Sequence, residues 1–171
     1  MGNSKQNFSK SLIVQKKPFT IYLLAFLLAF QSLGGLFGGI SLVLSPSGEI
    51  MKMPLSMLAG SPFGNFMVPG LVLLILLGIL PGILAFALFR RPEWKLAGSL
   101  NIYNGIHWAW TYSLYLGIML IIWILLEIMW IGYDILQTIY GLVGVIILIV
   151  TLLPANMQYF GWKKSGENHT V

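Results

Sequence analysis

The chain has 171 residues, of which 57% are apolar and only 9% charged, and it carries a formal net charge of +5 with no cysteine. Soluble domains carry about 25% charged residues, so this composition excludes a surface built for water. The lack of cysteine excludes disulfides, thiolate metal sites and cysteine nucleophiles. The positive charge indicates membrane orientation rather than nucleic-acid binding, because basic residues flank apolar spans in membrane proteins.

Four long apolar runs follow one another along the chain. They cover residues 19–44, 68–89, 108–131 and 135–153, and none contains Lys or Arg. A helix needs about 20 apolar residues to cross the hydrocarbon, and backbone groups in lipid must bond within their own segment. The sequence therefore predicts an all-α polytopic membrane protein. Its four-transmembrane-helix bundle fills residues 19–155, with tails at 1–18 and 156–171.

The basic residues predict how the bundle is oriented. In a four-helix topology, Lys52 alone lies on one side, and the other nine basic residues lie opposite: Lys5, Lys10, Lys16, Lys17, Arg90, Arg91, Lys95, Lys163 and Lys164. Cytoplasmic loops are enriched in Lys and Arg. We therefore expect a multi-pass plasma membrane protein with both termini in the cytoplasm. The segment at 45–67 then lies outside, where its apolar, Met-rich part is expected to rest on the outer interface.

Glycines spaced four apart are the clearest packing signal in the first two runs. They are Gly34, Gly35, Gly38 and Gly39 in the first run, and Gly78 and Gly82 in the second, beside Pro81. Small residues at this spacing let a neighbouring helix backbone come close. Contact within the bundle is the favoured interpretation, and a homodimer interface remains the alternative. Pro81 is expected to kink its helix because it removes one backbone donor.

Polar residues inside the runs are few. Gln31 and Ser32 lie midway along the first run, where we expect them to form hydrogen bonds between helices. Glu127 lies about one turn before the third run ends, and charged groups in membrane helices are often functional. Asp134 and Gln137 follow at a spacing that puts them on one helix face.

These residues suggest one candidate ligand site at the outer end of the last two helices. It comprises Glu127, Asp134, Gln137 and, from the outer segment, Lys52. One interpretation is a pocket for a polar head group or a cation, with Lys52 paired to Glu127. The other, which we favour, is that the carboxylates are interfacial and hold the outer segment in place.

No set of residues with catalytic or metal-binding spacing is found in the sequence. His107 and His169 are the only histidines, whereas a zinc site needs three or four ligands. Motifs such as HExxH, GxSxG and the Walker A loop are absent. We therefore predict no metal and no cofactor, and the poverty of titratable groups argues against an enzyme.

Several short motifs follow the helices in a fixed order. They are Ser45-Pro46-Ser47-Gly48, Met53-Pro54-Leu55, Gly60-Ser61-Pro62-Phe63, Val68-Pro69-Gly70, Arg90-Arg91-Pro92, and Trp123-Ile124 with Glu127. Over roughly residues 20–155 this order resembles small four-helix integral membrane proteins of bacteria that carry no assigned function. The resemblance implies a multi-pass plasma membrane protein and supplies no activity or ligand.

Three functions remain open from the sequence. The first is a non-enzymatic protein that binds a lipid or a partner membrane protein through its outer segment and the hairpin of the last two helices. The second is a subunit of a small oligomeric transporter or channel, for which a water-lined path bearing Gln31 would argue. The third is a membrane enzyme acting on a lipid or quinone, for which an aromatic cavity beside His107 would argue. Each has the lipid bilayer as its surroundings, and none involves nucleic acid.

Overall fold

The computed structural model describes residues 17–103 and 105–161, and it contains helices but no strand within those ranges. Four helices are long and apolar enough to cross a membrane: α1 (Phe19–Leu44), α2 (Met67–Arg90), α4 (Trp108–Ile131) and α5 (Ile135–Leu152). Their bounds agree within one residue with the predicted runs. The predicted all-α, four-span bundle is therefore confirmed.

Three short helical pieces complete the chain. A 3-10 helix at Leu55–Leu58 lies in the segment between α1 and α2 and packs against α4. Helix α3 (Lys95–Ser99) lies between α2 and α4, and α6 (Pro154–Tyr159) follows α5 directly. The first of these pieces is anchored by buried Leu58, which packs with Leu42 and Phe66.

Helices α1 and α2 pack at backbone distance, and glycines make this possible. A Cβ on Gly35 would collide with the Leu77 carbonyl and lie 2.6 Å from the Gly78 nitrogen, while one on Gly39 would lie 2.5 Å from the Leu74 nitrogen. A Cβ on Gly78 would lie 2.8 Å from the Leu36 nitrogen. These glycines therefore make their close contacts within one bundle.

The other three predicted packing glycines have different surroundings. Gly82 faces the Ser32 hydroxyl, and Gly34 faces the Tyr140 ring of α5. A Cβ on Gly38 would meet no atom within 4 Å. Five of the six glycines thus make close contacts inside the bundle, whereas Gly38 stands beside open space.

Helix α2 changes its winding where Pro81 interrupts the backbone hydrogen bonds. Residues Leu73–Ile79 form a π-helical stretch, and Leu80 donates its N–H to the Ile75 carbonyl five residues earlier. Proline has no N–H to offer to the preceding turn, and π segments arise where the regular ladder is disturbed. Pro81 therefore coincides with a change of helical register rather than with an end of the helix.

Helices α4 and α5 form an antiparallel hairpin joined by a tight turn at Gly132, which has φ +83°. Gly117 and Gly144 face each other where these helices cross, so that a Cβ on either would lie 3.2–3.4 Å from the other's carbonyl oxygen. Buried Trp110 ties the helices together further along by donating its indole N–H to the Thr151 carbonyl at 2.8 Å.

The segment after α5 belongs to the bundle. Asn156 of α6 is fully buried, accepts a 2.5 Å hydrogen bond from Thr20 of α1, and donates to the Val150 carbonyl at 2.6 Å. Tyr159 and Phe160 are also buried. Helical structure packed in the bundle therefore continues past residue 155, where the sequence analysis placed the start of the tail, because polar Asn156 finds its partners inside the bundle.

Candidate functional site

Two ends of the bundle carry the polar residues. We call the end with Lys17, Arg90, Arg91 and Lys95 the basic end, and the end where α4 and α5 join the hairpin end. Lys17 donates to the Phe89 carbonyl at 3.1 Å, and so binds one of the free carbonyls at the C-terminus of α2. A cation is favourable at that position because the helix dipole is negative there.

At the hairpin end, Asp134 and Gln137 lie together, as their spacing predicts. Asp134 is the N-cap of α5, and its carboxylate accepts the Leu136 N–H at 2.9 Å. Gln137, which is buried, accepts the Asp134 N–H at 2.9 Å. This reciprocal pair is a capping box, which satisfies helix-terminal N–H groups. The pair therefore has a structural role at the start of α5.

Glu127 and Lys52 lie in different surroundings. The Glu127 carboxylate accepts a 2.5 Å hydrogen bond from the indole N–H of Trp123, one turn earlier on α4. Lys52 is exposed in the segment before the 3-10 helix and has a left-handed backbone with φ +55°. The structure thus gives Glu127 a partner on its own helix rather than Lys52. A ligand held by Glu127, Asp134, Gln137 and Lys52 stays a prediction.

Gln31 and Ser32 bond to α2, in line with the expected interhelical role. Ser32 donates to the Gly78 carbonyl at 2.7 Å, and Gln31 donates to the Leu77 carbonyl at 3.3 Å. Gln31 is only 2% exposed, and its Oε1 has no hydrogen-bond partner. Its amide therefore serves the contact between α1 and α2, where it reaches the carbonyl that an α-helix would pair with the missing N–H of Pro81.

The basic end holds an open groove of about 610 Å³ that the sequence analysis missed. It lies between α3 with its flanking residues and the start of α4. Its lining is mainly apolar and aromatic and comprises Glu93, Trp94, Lys95, Leu96, Ala97, Leu100 and Tyr112. Charged Glu93 and Lys95 stand beside the aromatic surface. The groove is open to its surroundings, and most of the side chains that line it are exposed.

Aromatic rings line and support this groove. Trp94 stacks on Trp108 with ring centroids 5.2 Å apart, and Tyr112 meets Trp108 edge-on at 5.8 Å. Trp108 donates its indole N–H to the Pro92 carbonyl at 2.8 Å, which fixes the chain leading into α3. Such offset and edge-on ring pairs stabilise packing beyond the area they bury. Aromatic contacts therefore hold the groove wall in position.

Asn101 secures the opposite side of the same loop. Its amide donates to the Ile106 carbonyl at 2.6 Å, and its oxygen accepts from the Thr111 hydroxyl at 2.7 Å and from the Tyr103 N–H at 3.2 Å. One side chain thus joins the loop after α3 to the first turn of α4. The chain on both sides of α3 is therefore tied to α4 by hydrogen bonds.

No family model, curated protein or solved structure matches the chain. The function must therefore be argued from the geometry of the chain itself. Within residues 17–103 and 105–161, no three His, Asp or Glu side chains gather as metal ligands would.

His107 lies behind the groove and caps α4. Its Nδ1 accepts the Ala109 N–H at 3.2 Å, so the ring is neutral and carries its proton on Nε2. Burial lowers the pKa of His107, and the positive charge of Arg91 lowers it further. The carbonyls of Pro92 and Arg91 and the carboxylate of Glu93 act in the opposite direction but do not outweigh burial.

The lowered pKa of His107 predicts that the bundle loses stability in mild acid. Its pKa is below the ordinary value of about 6.5 only when folded, so protonation favours the unfolded chain. The stability associated with a neutral His107 is fully present above about pH 6.5. It is lost as the pH falls toward the lower pKa of His107 in the folded protein. We expect the denaturation midpoint of the detergent-solubilised protein, followed by circular dichroism, to be lower at pH 5.5 than at pH 7.5.

The variant His107→Asn is the matched control for this pH dependence. Asparagine caps helices through its side-chain oxygen but does not titrate. Its midpoint is expected to stay nearly level over the same pH range. A fall as steep as that of the unmodified protein would show that other groups cause the loss.

The aromatic groove was missed because its residues are scattered among a turn, a short helix and the start of α4. The only sequence signal was the cluster of Trp94, Trp108 and Tyr112 near basic residues, which also fits ordinary interfacial anchoring. Stacking between Trp94 and Trp108 appears only after the loop has folded back. Neither the composition nor the periodicity of the sequence predicts that this loop folds back over α4.

Proposed function

We propose that this protein is a non-enzymatic, multi-pass protein of the plasma membrane that binds one membrane lipid in the groove at its basic end. The observation that carries the proposal is the open groove of about 610 Å³ with a mainly apolar and aromatic lining. It lies beside the ends of α2 and α4, at the depth where Trp and Tyr rings favour the membrane interface. An acyl chain is the apolar ligand most available at that depth.

The charge distribution supports the same proposal and an orientation. Of the five basic residues in the described ranges, Lys17, Arg90, Arg91 and Lys95 lie at the basic end, with Lys95 in the groove lining, whereas Lys52 lies in the segment between α1 and α2. Lys and Arg are enriched on the cytoplasmic side of membrane proteins, where the lipid surface is negative. The groove then opens toward the cytoplasmic leaflet, and the hairpin end lies outside.

The rival functions have less support from the described residues. Gln31 is enclosed between α1 and α2 instead of lining a path for water. His107, the residue around which an enzyme site was expected, is not among the residues that line the groove. The alternative of an oligomeric transporter would need a pore that several chains build together.

Two leucine-sized residues of the same loop test the lipid proposal. Leu100 lines the groove and is 69% exposed, whereas Ile102 is 70% exposed and does not line it. Leu100→Glu is expected to weaken binding of a dioleoyl phospholipid about tenfold, because it places a charge against the acyl chain and each tenfold step corresponds to about 1.4 kcal/mol. Native mass spectrometry of the detergent-solubilised protein, titrated with that lipid, measures the dissociation constant.

Ile102→Glu is the control, since it adds the same charge two residues away. Its dissociation constant is expected to stay within twofold of the unmodified value, and both variants should keep the helical circular dichroism spectrum. Equal binding by the Leu100 and Ile102 variants would contradict lipid binding in the groove.

A further inference from the structure

Arg91 is held in an unusual position at the basic end. It is the C-cap of α2 with left-handed backbone angles of φ 47° and ψ 53°, and its N–H bonds to the Ala87 carbonyl at 2.9 Å. Its guanidinium lies over the Tyr159 ring, 3.6 Å from the centroid, and 5.0 Å from that of Phe160. One terminal nitrogen donates to the Tyr159 carbonyl. The charge is thus fixed between α2 and α6.

This charge has no counter-ion among the described residues. The Nε of Arg91 is buried without a hydrogen-bond partner. Burial lowers the pKa of Arg91, and the only opposing influence comes from Tyr159 rather than from a carboxylate. A partly desolvated cation without an anion is unfavourable, and guanidinium groups bind phosphate and carboxylate oxygens through paired N–H groups. Arg91 is therefore suited to an anion.

A second unpartnered donor lies next to Arg91. The Nε2 of His107 is buried without a hydrogen-bond partner, and it carries the proton because Nδ1 accepts from Ala109. The carbonyls of Arg91 and Pro92 lie near this nitrogen but outside hydrogen-bond geometry. They would compete with an anion for its proton. His107 therefore ranks as the secondary donor and Arg91 as the primary one.

Stacked rings connect this pair of donors to the groove. His107 lies 6.1 Å from the Phe160 ring and 5.4 Å from the Trp108 ring, measured between centroids. Trp108 in turn stacks on Trp94, which lines the groove. Neither Arg91 nor His107 lines the groove, so a ligand with chains in the groove would have to extend past the Trp94–Trp108 pair to place its polar end beside the partly buried Arg91.

Resting on the lipid-binding function proposed above, we propose that the bound lipid carries an anionic phosphate head group and that Arg91 holds this phosphate, with the Nε2–H of His107 as the second donor. Positive charge at this end of the bundle complements such a head group. Phosphate oxygens supply the acceptors that both unpartnered N–H groups need, and charge-assisted bonds of this kind are stronger than neutral ones.

Dioleoyl phosphatidic acid and dioleoylglycerol test the proposal because they share their acyl chains and differ in the phosphate. Native mass spectrometry of the full chain in detergent gives both dissociation constants. We expect the unmodified protein to favour phosphatidic acid at least tenfold, and Arg91→Gln to reduce this preference about tenfold without changing the binding of dioleoylglycerol. Arg90→Gln is the matched control, since the exposed neighbouring arginine lies over Phe86, and it should keep the preference within threefold.

The possible results separate the two proposals. If dioleoylglycerol and phosphatidic acid bind equally and both respond to Leu100→Glu, lipid binding stands and the phosphate site is wrong. If neither lipid binds, the proposed function fails as well. Displacement of phosphatidic acid by inorganic phosphate at equal concentration would show that free phosphate is the ligand and would overturn the proposal.

A measurement on the unmodified protein guards against misfolding of the Arg91 variant. Phenylglyoxal modifies arginine side chains, and mass spectrometry of the digested protein locates the modified residues. Phosphatidic acid in micelles is expected to slow the labelling of Arg91 at least fivefold relative to dioleoylglycerol, while labelling of Arg90 changes less than twofold. Equal labelling of Arg91 with both lipids would refute the phosphate contact.

Discussion

Replacing Gly35 with alanine is expected to lower the free energy of unfolding by about 2–3 kcal/mol, the usual cost of forcing atoms into a packed contact. The new Cβ would collide with the Leu77 carbonyl and lie 2.6 Å from the Gly78 nitrogen. Both are backbone atoms of α2, which no side-chain rotation can move aside. The two helices would have to separate along the whole contact. Equilibrium unfolding in mixed micelles, followed by tryptophan fluorescence, measures the loss.

Gly38→Ala provides the matched control because it makes the same change in the same helix. No atom lies within 4 Å of the added Cβ. Alanine is a better helix former than glycine by about 1 kcal/mol, so stability should stay unchanged or rise slightly. If Gly38→Ala destabilised the protein and Gly35→Ala did not, the contact between α1 and α2 would be misplaced. A loss at Gly38 alone that depended on protein concentration would instead favour the homodimer interface.

The four spans could be predicted from the sequence because their cause is local. About 20 residues without charge dictate a lipid-crossing helix, and α1 and α4 begin and end at the same residues as the predicted runs. The role of the glycines was only partly predictable. Spacing of four marks a small-residue face, yet it does not distinguish Gly35, which meets α2, from Gly38, which meets nothing.

Features that depend on two distant segments escaped prediction. Neither Gly117 nor Gly144 has a second glycine four positions away to form a GxxxG pair, and their contact arises only when α4 and α5 cross. The stacking of Trp94 on Trp108 similarly requires the loop after α2 to fold back over α4. Single polar residues were therefore visible in the sequence, whereas the groove between segments was not.

Replacing Gln31 with leucine is expected to lower the free energy of unfolding by about 1–2 kcal/mol, the cost of leaving a buried acceptor unpaired. Gln31 donates to the Leu77 carbonyl at 3.3 Å. That carbonyl is the one an α-helix pairs with the N–H of residue 81, which proline lacks. In hydrocarbon no water can replace the missing donor. The substitution also removes the buried Oε1 of Gln31, which has no hydrogen-bond partner, and this offsets part of the loss in stability.

Pro81→Ala restores the absent N–H, so that combining it with Gln31→Leu gives a double-mutant cycle. Alanine at position 81 can donate to the Leu77 carbonyl, so Gln31→Leu should cost at most half as much in the Pro81→Ala protein. Ser32→Ala is the control, because Ser32 donates to the Gly78 carbonyl, whose helical donor is residue 82 rather than the proline. Its cost should be equal in both proteins. Equal costs for Gln31→Leu in the two proteins would mean that Gln31 does not compensate for Pro81.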